Sequence, residues 1–366
     1  MQFHLWVLVT IGSVLIGGDM LALKAEPLPI KPPSNVERQR ERNDLRPETF
    51  HCPIPEPLPN ALETLNYYSD EKSSIVDEHI YRREMSHQAS IRNNEQAISL
   101  ALSRFVIADP DEAWRYAECI LKHLRQFAGD DAFNGTTNFR GTGMVRLMST
   151  TPIFAYAELK HAYPIKPEDA ILLEAWIRRL ADNILYYEEK NAYGNNISYW
   201  AGAALALSAV ATGERRYIDA ALEIARSAAR SVTTDGLLPS EMARGERALE
   251  YNLFATEALA LIAAVALANG IDLMQENGTS LMRLMRTMAE VLKKPTLFIS
   301  LGGSRRSIAA ERIYRQNYGW LVFYREYTDD RGVDRLICAS KPLFSFRSGG
   351  DWLTLFGSQS ICSMTP

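Results

Sequence analysis

The sequence predicts an all-α protein, an α/α toroid in which an incomplete barrel of helical hairpins surrounds a groove. Three observations carry that expectation. Beyond Ser90, apolar residues recur at three- and four-residue intervals through NNEQAISLALSRFV, PDEAWRYAECILKHLRQFA, PEDAILLEAWIRRLADNILYYEEK and RYIDAALEIARSAARSV, as one buried face of a helix requires. Two other stretches, AGAALALSAVATG and LFATEALALIAAVALANG, are apolar almost throughout, which suits helices enclosed on every side. Amphipathic stretches alternate with these, and an outer ring of helices around an inner ring buries such a set economically.

The elements follow in chain order. Residues 1–25, MQFHLWVLVTIGSVLIGGDMLALKA, read as a secretory leader. The apolar run from Phe3 to about Gly17 falls short of the roughly 20 residues that span a bilayer. Small residues follow, and Ala25 is the expected last residue of the leader. A basic start is missing, so retention as an anchor stays open. Residues 26–51 are rich in proline and charge and form a linker rather than a core. The helical domain is expected over residues 52–366. Pro110, Pro167 and Pro239 sit near helix starts, where a missing N–H costs little. The stretch NFRGTGMVR reads as loop-like, and from about Pro295 helix mixes with short extended pieces.

Cys52, Cys119, Cys338 and Cys362 suggest two disulfides in an exported chain. No C-x-x-C pair occurs, which argues against zinc or a redox motif. Three pairings are possible, and proximity in the chain favours Cys338–Cys362, leaving Cys52–Cys119. These bonds would tie an extended N-terminal segment and the C-terminal tail to the helical body.

A formal charge of −4 provides no general field for polyanions, so an anionic ligand needs a local basic patch. Nucleic acid is not an expected partner. No metal cluster, phosphate loop or cofactor motif is visible, and no cofactor is expected. Nor is membrane insertion beyond the leader, and the expected state is a monomer.

At GNNISYWAGAALALSAV the sequence resembles the alginate (poly-mannuronate) lyase family, which carries N-N-H-S-Y-W at this point. The resemblance continues through DGLLPSEMARGERALEYNLFATEALALIAAVALANGIDL. CPIPEPLP and NYYSDEKSSIVDE before it, and NYGWLVFY and FSFRSGGDW after it, look like the family's flanks. The resemblance implies three acting residues here: Asn196, Arg244 and Tyr251. The family's histidine position is Ile197, and no histidine follows His161. Tyr199, Trp200, Arg347, Tyr318 and Arg146 are expected to line the groove, with Tyr314 and Arg140 as further candidates. The family's basic N-terminal groove residue has no obvious counterpart; the nearest positions read Tyr67 and Tyr68.

The chemistry explains the residue types. β-Elimination removes the C5 proton of a uronate and expels the C4 oxygen. The neighbouring carboxylate makes that proton a poor acid, so its charge must be met by an amide such as Asn196 and a fixed guanidinium such as Arg244. One preorganised donor of this kind contributes roughly 3 kcal/mol to the transition state. A tyrosine beside a guanidinium can then serve both proton steps, since the cation favours the phenolate. In mannuronate and glucuronate the C5 proton and the C4 oxygen share one face, so Tyr251 alone suffices. In guluronate they lie on opposite faces and a second group is needed, which the missing histidine would have supplied.

Each residue also has a plainer reading. Asn196 and Ser198 could cap a helix, Tyr251, Tyr199 and Trp200 could be core, Arg244 could be solvated, and Ile197 is packing. The resemblance, carried by the joint spacing of these residues and their matching neighbours, implies a periplasmic or secreted polysaccharide lyase acting on a uronate polymer. One rival is a catalytically weak lyase-like protein that binds an exopolysaccharide during export. A glycoside hydrolase ranks third, because Glu241, Glu246 and Glu250 show no pairing of opposed carboxylates in sequence.

Overall fold

Prolines open the long outer helices where the sequence places them: Pro110 begins the helix Pro110–Gly129 and Pro167 the helix Pro167–Asn191, each with acidic residues in the first turn to meet the helix dipole. The computed structural model describes residues 30–34, 36, 51–308, 318–357 and 360–363. The leader, nearly all of the linker and Tyr314 lie outside these residues.

The first helices are α1 (Glu78–His87), α2 (Ala89–Phe105), α3 (Pro110–Gly129), α4 (Phe139–Met148) and α5 (Thr150–Ala162). Next come α6 (Pro167–Asn191), α7 (Asn196–Thr212), α8 (Arg215–Ser231) and the single turn α9 (Pro239–Met242). A 3-10 turn, Gly245–Arg247, leads into α10 (Ala248–Ala268), followed by α11 (Ser280–Lys293) and the short α12 (Leu297–Ser300). After them come α13 (Trp320–Arg325) and α14 (Arg331–Ala339). Strands β1 (Phe344–Ser345) and β2 (Gly350–Asp351) pair antiparallel, Phe344 opposite Asp351, before the short α15 (Trp352–Phe356) and α16 (Ser360–Ser363).

The arrangement is the expected α/α toroid. Helices α2, α5, α7, α10 and α13 follow one another around the inside; outside them α3 packs on α2 and α5, α6 on α7, α8 on α7, α11 on α10 and α14 on α13, and α5 reaches α6 through Tyr156 and Lys160 on Glu174. Patterning decides which ring a helix joins. Nearly every residue of α7 and α10 is buried, whereas α8 buries Tyr217, Ile218, Ala221, Leu222 and Ala225 along one stripe. By length and composition α10 could cross a bilayer, yet it is the enclosed core helix. Close packing of the rings fixes Gly202 on α7: a Cβ there would stand 2.8 Å from Ile262 Cδ1 and 3.1 Å from Ile224 Cγ2.

Both disulfides have the favoured pairing, Cys52–Cys119 onto α3 and Cys338–Cys362 between α14 and the tail. The two-residue strands are the extended pieces of the C-terminal region. The loop-like reading of NFRGTGMVR is corrected: these residues form α4, capped by Asn138. Gly141 serves close approach rather than flexibility, since a Cβ there would lie 1.9 Å from the carbonyl oxygen of Leu62. At the other end of the inner helices, Ser34 Oγ donates to the buried Glu158 of α5 at 2.5 Å, and the Lys31 N–H donates to Asn269 Oδ1 at 2.9 Å.

Candidate functional site

The N-terminal turns of α7 and α10 open into a groove with a cavity of about 690 Å³. Two helix N-termini directed at one cavity favour an anionic occupant. The side chains add to this: among the described residues Arg92, Arg140, Arg244, Arg247 and Arg347 line the groove against Glu84 and Glu250. A chain of net charge −4 thus concentrates cations at one place, as an anionic ligand requires.

Asn195, not Asn196, caps α7, accepting the Ile197 N–H at 3.0 Å. Ser198 accepts the Tyr193 and Gly194 amides at 3.0 and 3.1 Å. Asn196 is therefore free of the capping role. It is buried, and both its backbone N–H (2.6 Å) and its Nδ2 (3.0 Å) donate to the carboxylate of Glu241. Arg244 Nε lies 4.0 Å from the same carboxylate. Burial raises the Glu241 pKa above the carboxylate range, opposed by the Asn196 hydrogen bonds and by Arg244. One buried acid thus braces two groove-lining groups.

Tyr251 stands on the first turn of α10 under two guanidiniums. Arg244 Cζ lies 4.7 Å and Arg247 Cζ 5.0 Å from its ring centroid. Its hydroxyl is 2.6 Å from that of Tyr68, in the segment before α1. Arg247 donates to the Tyr68 oxygen and is held by Glu250, with Nε to Oε2 at 2.8 Å. Burial pushes the Tyr68 hydroxyl well above the ordinary tyrosine range, and the neighbouring Tyr251 adds to this. Tyr68 therefore stays protonated and can donate to Tyr251. Burial alone would lower the Arg247 pKa, but its hydrogen bond to Glu250 and the two tyrosines outweigh that.

Arg347 also lines the groove, with Nη1 3.6 Å from the buried Glu95. Burial raises Glu95 to about 7, and Arg347 pulls the other way.

Four expected groove residues are elsewhere. Tyr199 is buried, its hydroxyl donating to the Gly194 carbonyl at 3.3 Å. Trp200 is buried beneath Phe254, ring centroids 4.9 Å apart, and supports the groove floor from behind. Arg146 is 1 % exposed and pairs with Glu188 at 2.5 Å under the Tyr193 ring. It lies six positions after Arg140, which places the two on different faces of α4, and of the two Arg140 reaches the groove. Tyr318 packs partly buried against the core. Asn196, Ile197, Arg244, Tyr251 and Arg347 do share the cavity.

Sequence reasoning did not single out Arg92 or Arg247, and it offered Tyr68 and Glu241 without a role in the site. Arg247 carried a signal, since it lies three residues after Arg244 and four before Tyr251, the spacing of one helical face. Arg92 and Tyr68 reach the groove only through the tertiary fold. Glu241, Glu246 and Glu250 are each committed, to Asn196, Arg306 and Arg247, which leaves no opposed carboxylate pair among them.

The alginate lyase family model matches residues 59–298. An alginate lyase of Azotobacter vinelandii is 29% identical over 360 residues, 94% of this chain and 93% of that protein. An alginate lyase of Pseudomonas syringae pv. syringae is 28% identical over 353 residues, covering 93% and 92%. A polysaccharide lyase of Stenotrophomonas maltophilia is 28% identical over 316 residues, covering 85% and 92%. In three dimensions the chain resembles alginate lyase A1-III from Sphingomonas species A1, with a TM-score of 0.73, 21% identity, and 90% and 97% of the two chains covered. With the family model spanning most of the helical body, the inner helices that build the groove included, the chain belongs to the alginate lyase family.

Proposed function

We propose that this chain is an exported polysaccharide lyase that cleaves a uronate polymer of mannuronate or glucuronate type by syn β-elimination, acting as a monomer in the periplasm or outside the cell. The observation that carries the reading is the Tyr251 hydroxyl, 2.6 Å from that of Tyr68, with Arg244 and Arg247 over its ring. Relatives named alginate lyase and polysaccharide lyase support it, as do the two disulfides for export.

The steps balance on this chain's own groups. The substrate carboxylate lies against Arg244 and Asn196, which stabilise the charge that develops on it. Tyr251, as phenolate, takes the C5 proton. Tyr68 and the two guanidiniums stabilise that phenolate. The electron pair of the C5–H bond forms the C4–C5 double bond as the C4–O bond breaks. The hydroxyl now on Tyr251 gives its proton to the leaving oxygen on the same face and returns to phenolate. Ile197 offers no proton, so an opposite-face elimination lacks its second group.

Absorbance of the unsaturated uronate product, followed across polymannuronate, polyglucuronate and polyguluronate, tests the reading. A rise on either of the first two and little on the third is expected. Tight binding of a uronate polymer with no rise on any of them would make the chain a binding protein.

A further inference from the structure

The groove carries one apolar patch among its cations. Arg92, Arg140, Arg244, Arg247 and Arg347 provide charge. Ile197 provides none: it faces Gly143 of α4, where a Cβ would stand 3.6 Å from Ile197 Cγ2, and Met144 extends this patch, which Arg140 borders one turn earlier on α4. The groove floor continues it, because Trp200, one turn on from Ile197, packs under Phe254, one turn on from Tyr251. The C–H face of a sugar ring can rest on such a patch, and so can a methyl substituent carried by the sugar.

A fixed donor stands beside it. Asn195 Oδ1 accepts the Ile197 N–H at 3.0 Å, which sets the orientation of the amide. Its Nδ2 has no acceptor among the described residues, and Asn195 lines the groove. An apolar surface next to an N–H donor matches the two halves of an acetyl group, methyl and carbonyl. A methyl ester on the uronate carboxyl fits badly, because it removes the charge that the arginines meet. Acetylation of a hydroxyl or an amine keeps that charge.

We propose that the groove recognises a uronate polymer acetylated on the sugar beside Ile197, the methyl resting on Ile197 and Met144 and the carbonyl accepting from Asn195 Nδ2. The proposal rests on the uronate-binding reading of the same groove. Two polymers share the chemistry: an O-acetylated polyuronate, and a polymer alternating uronate with an N-acetylated amino sugar.

Calorimetric affinities measured on the Tyr251→Phe chain test it without turnover. The first pair of ligands is O-acetylated polymannuronate and the same material after deacetylation. The second is a glucuronate–N-acetylglucosamine polymer and its N-formyl counterpart, which lacks only the methyl. In one pair the acetylated member should bind about tenfold tighter, the scale of one methyl group in an apolar site. Adding Ile197→Ser should bring that preference below about threefold, while Ile197→Val should keep it. Equal or weaker binding of the acetylated member in both pairs overturns the proposal, as does a preference that Ile197→Ser leaves intact. The parent chain separates this from the lyase reading. Preference without unsaturated product sinks the lyase reading alone; cleavage without preference sinks this inference alone. Absence of binding to all four polymers sinks both.

Discussion

At the scale of single residues, Asn196 and Glu241 form one unit. Asn196 commits two donors to a carboxylate that burial pushes toward its neutral form. Its Oδ1 is buried without a partner among the described residues. Glutamine at position 241 can accept the Asn196 backbone N–H and donate to Oδ1, as a protonated glutamate would, freeing Nδ2 for the groove. Glu241→Gln is therefore expected to keep turnover within about fivefold of the parent, whereas Glu241→Ala strands a buried amide and costs about 1–3 kcal/mol in chemical denaturation. Equal stability of the two variants would contradict the bracing role. Arg244 is the second residue-scale test. It is held near Glu241 and over Tyr251, so Arg244→Ala should weaken binding of a uronate oligosaccharide by about 2–5 kcal/mol, the usual cost of losing one partner of a desolvated charge pair. A neutral glucan should be ignored by both forms. Unchanged uronate affinity in Arg244→Ala would remove Arg244 from the site.

At the scale of elements, the enclosed helices hold the site by packing alone. Gly202 lets α7 approach both α8 and α10, and a single added methyl meets Ile262 and Ile224. Gly202→Ala should cost about 1–3 kcal/mol through overpacking; a neutral result in a denaturant titration would mean that the rings yield there. The N-terminal turns of α7 and α10 place Asn196 and Tyr251; the two helices were legible from their long apolar runs, whereas these two positions were singled out only by the resemblance to the family motif. Helix α4 was not legible, since glycines at 141 and 143 suggested a loop while close contact with Leu62 demanded the first of them. The same error kept Arg140 and Arg146 together as groove candidates, although a helix sends them to different faces. Tyr199 and Trp200 failed as groove residues because, on an inner helix, only the positions facing the mouth escape burial.

At the scale of the whole molecule, buried acids unused by the proposed chemistry leave a pH signature. Glu158, within the C-terminal part of α5, is raised to about 8 by burial, with Ser34 opposing. A folded-state pKa above the unfolded one means that the folded chain holds the extra proton, so this group lowers stability as pH rises from about 4.5 toward 8. Glu158→Gln removes that dependence. The melting temperature of the variant should gain on the parent as pH rises through this window, and a constant difference would show that Glu158 titrates normally. The two-ring architecture was legible from the alternation of enclosed and amphipathic helices. The groove's full cation set was not, because Arg92 and Arg347 come from opposite ends of the chain and meet only through the closure of the toroid. If Tyr251 moves both protons, removing its hydroxyl must stop turnover without loosening the substrate, and the Tyr251→Phe chain separates the two. Turnover of the best uronate polymer, read as unsaturated product, is compared with oligosaccharide affinity in the same preparation. The phenyl ring keeps its place under the two guanidiniums, so affinity should stay within about threefold while turnover falls at least about a thousandfold, the scale of a lost general acid–base group. Turnover near the parent's in a folded, binding-competent Tyr251→Phe chain would contradict the mechanism.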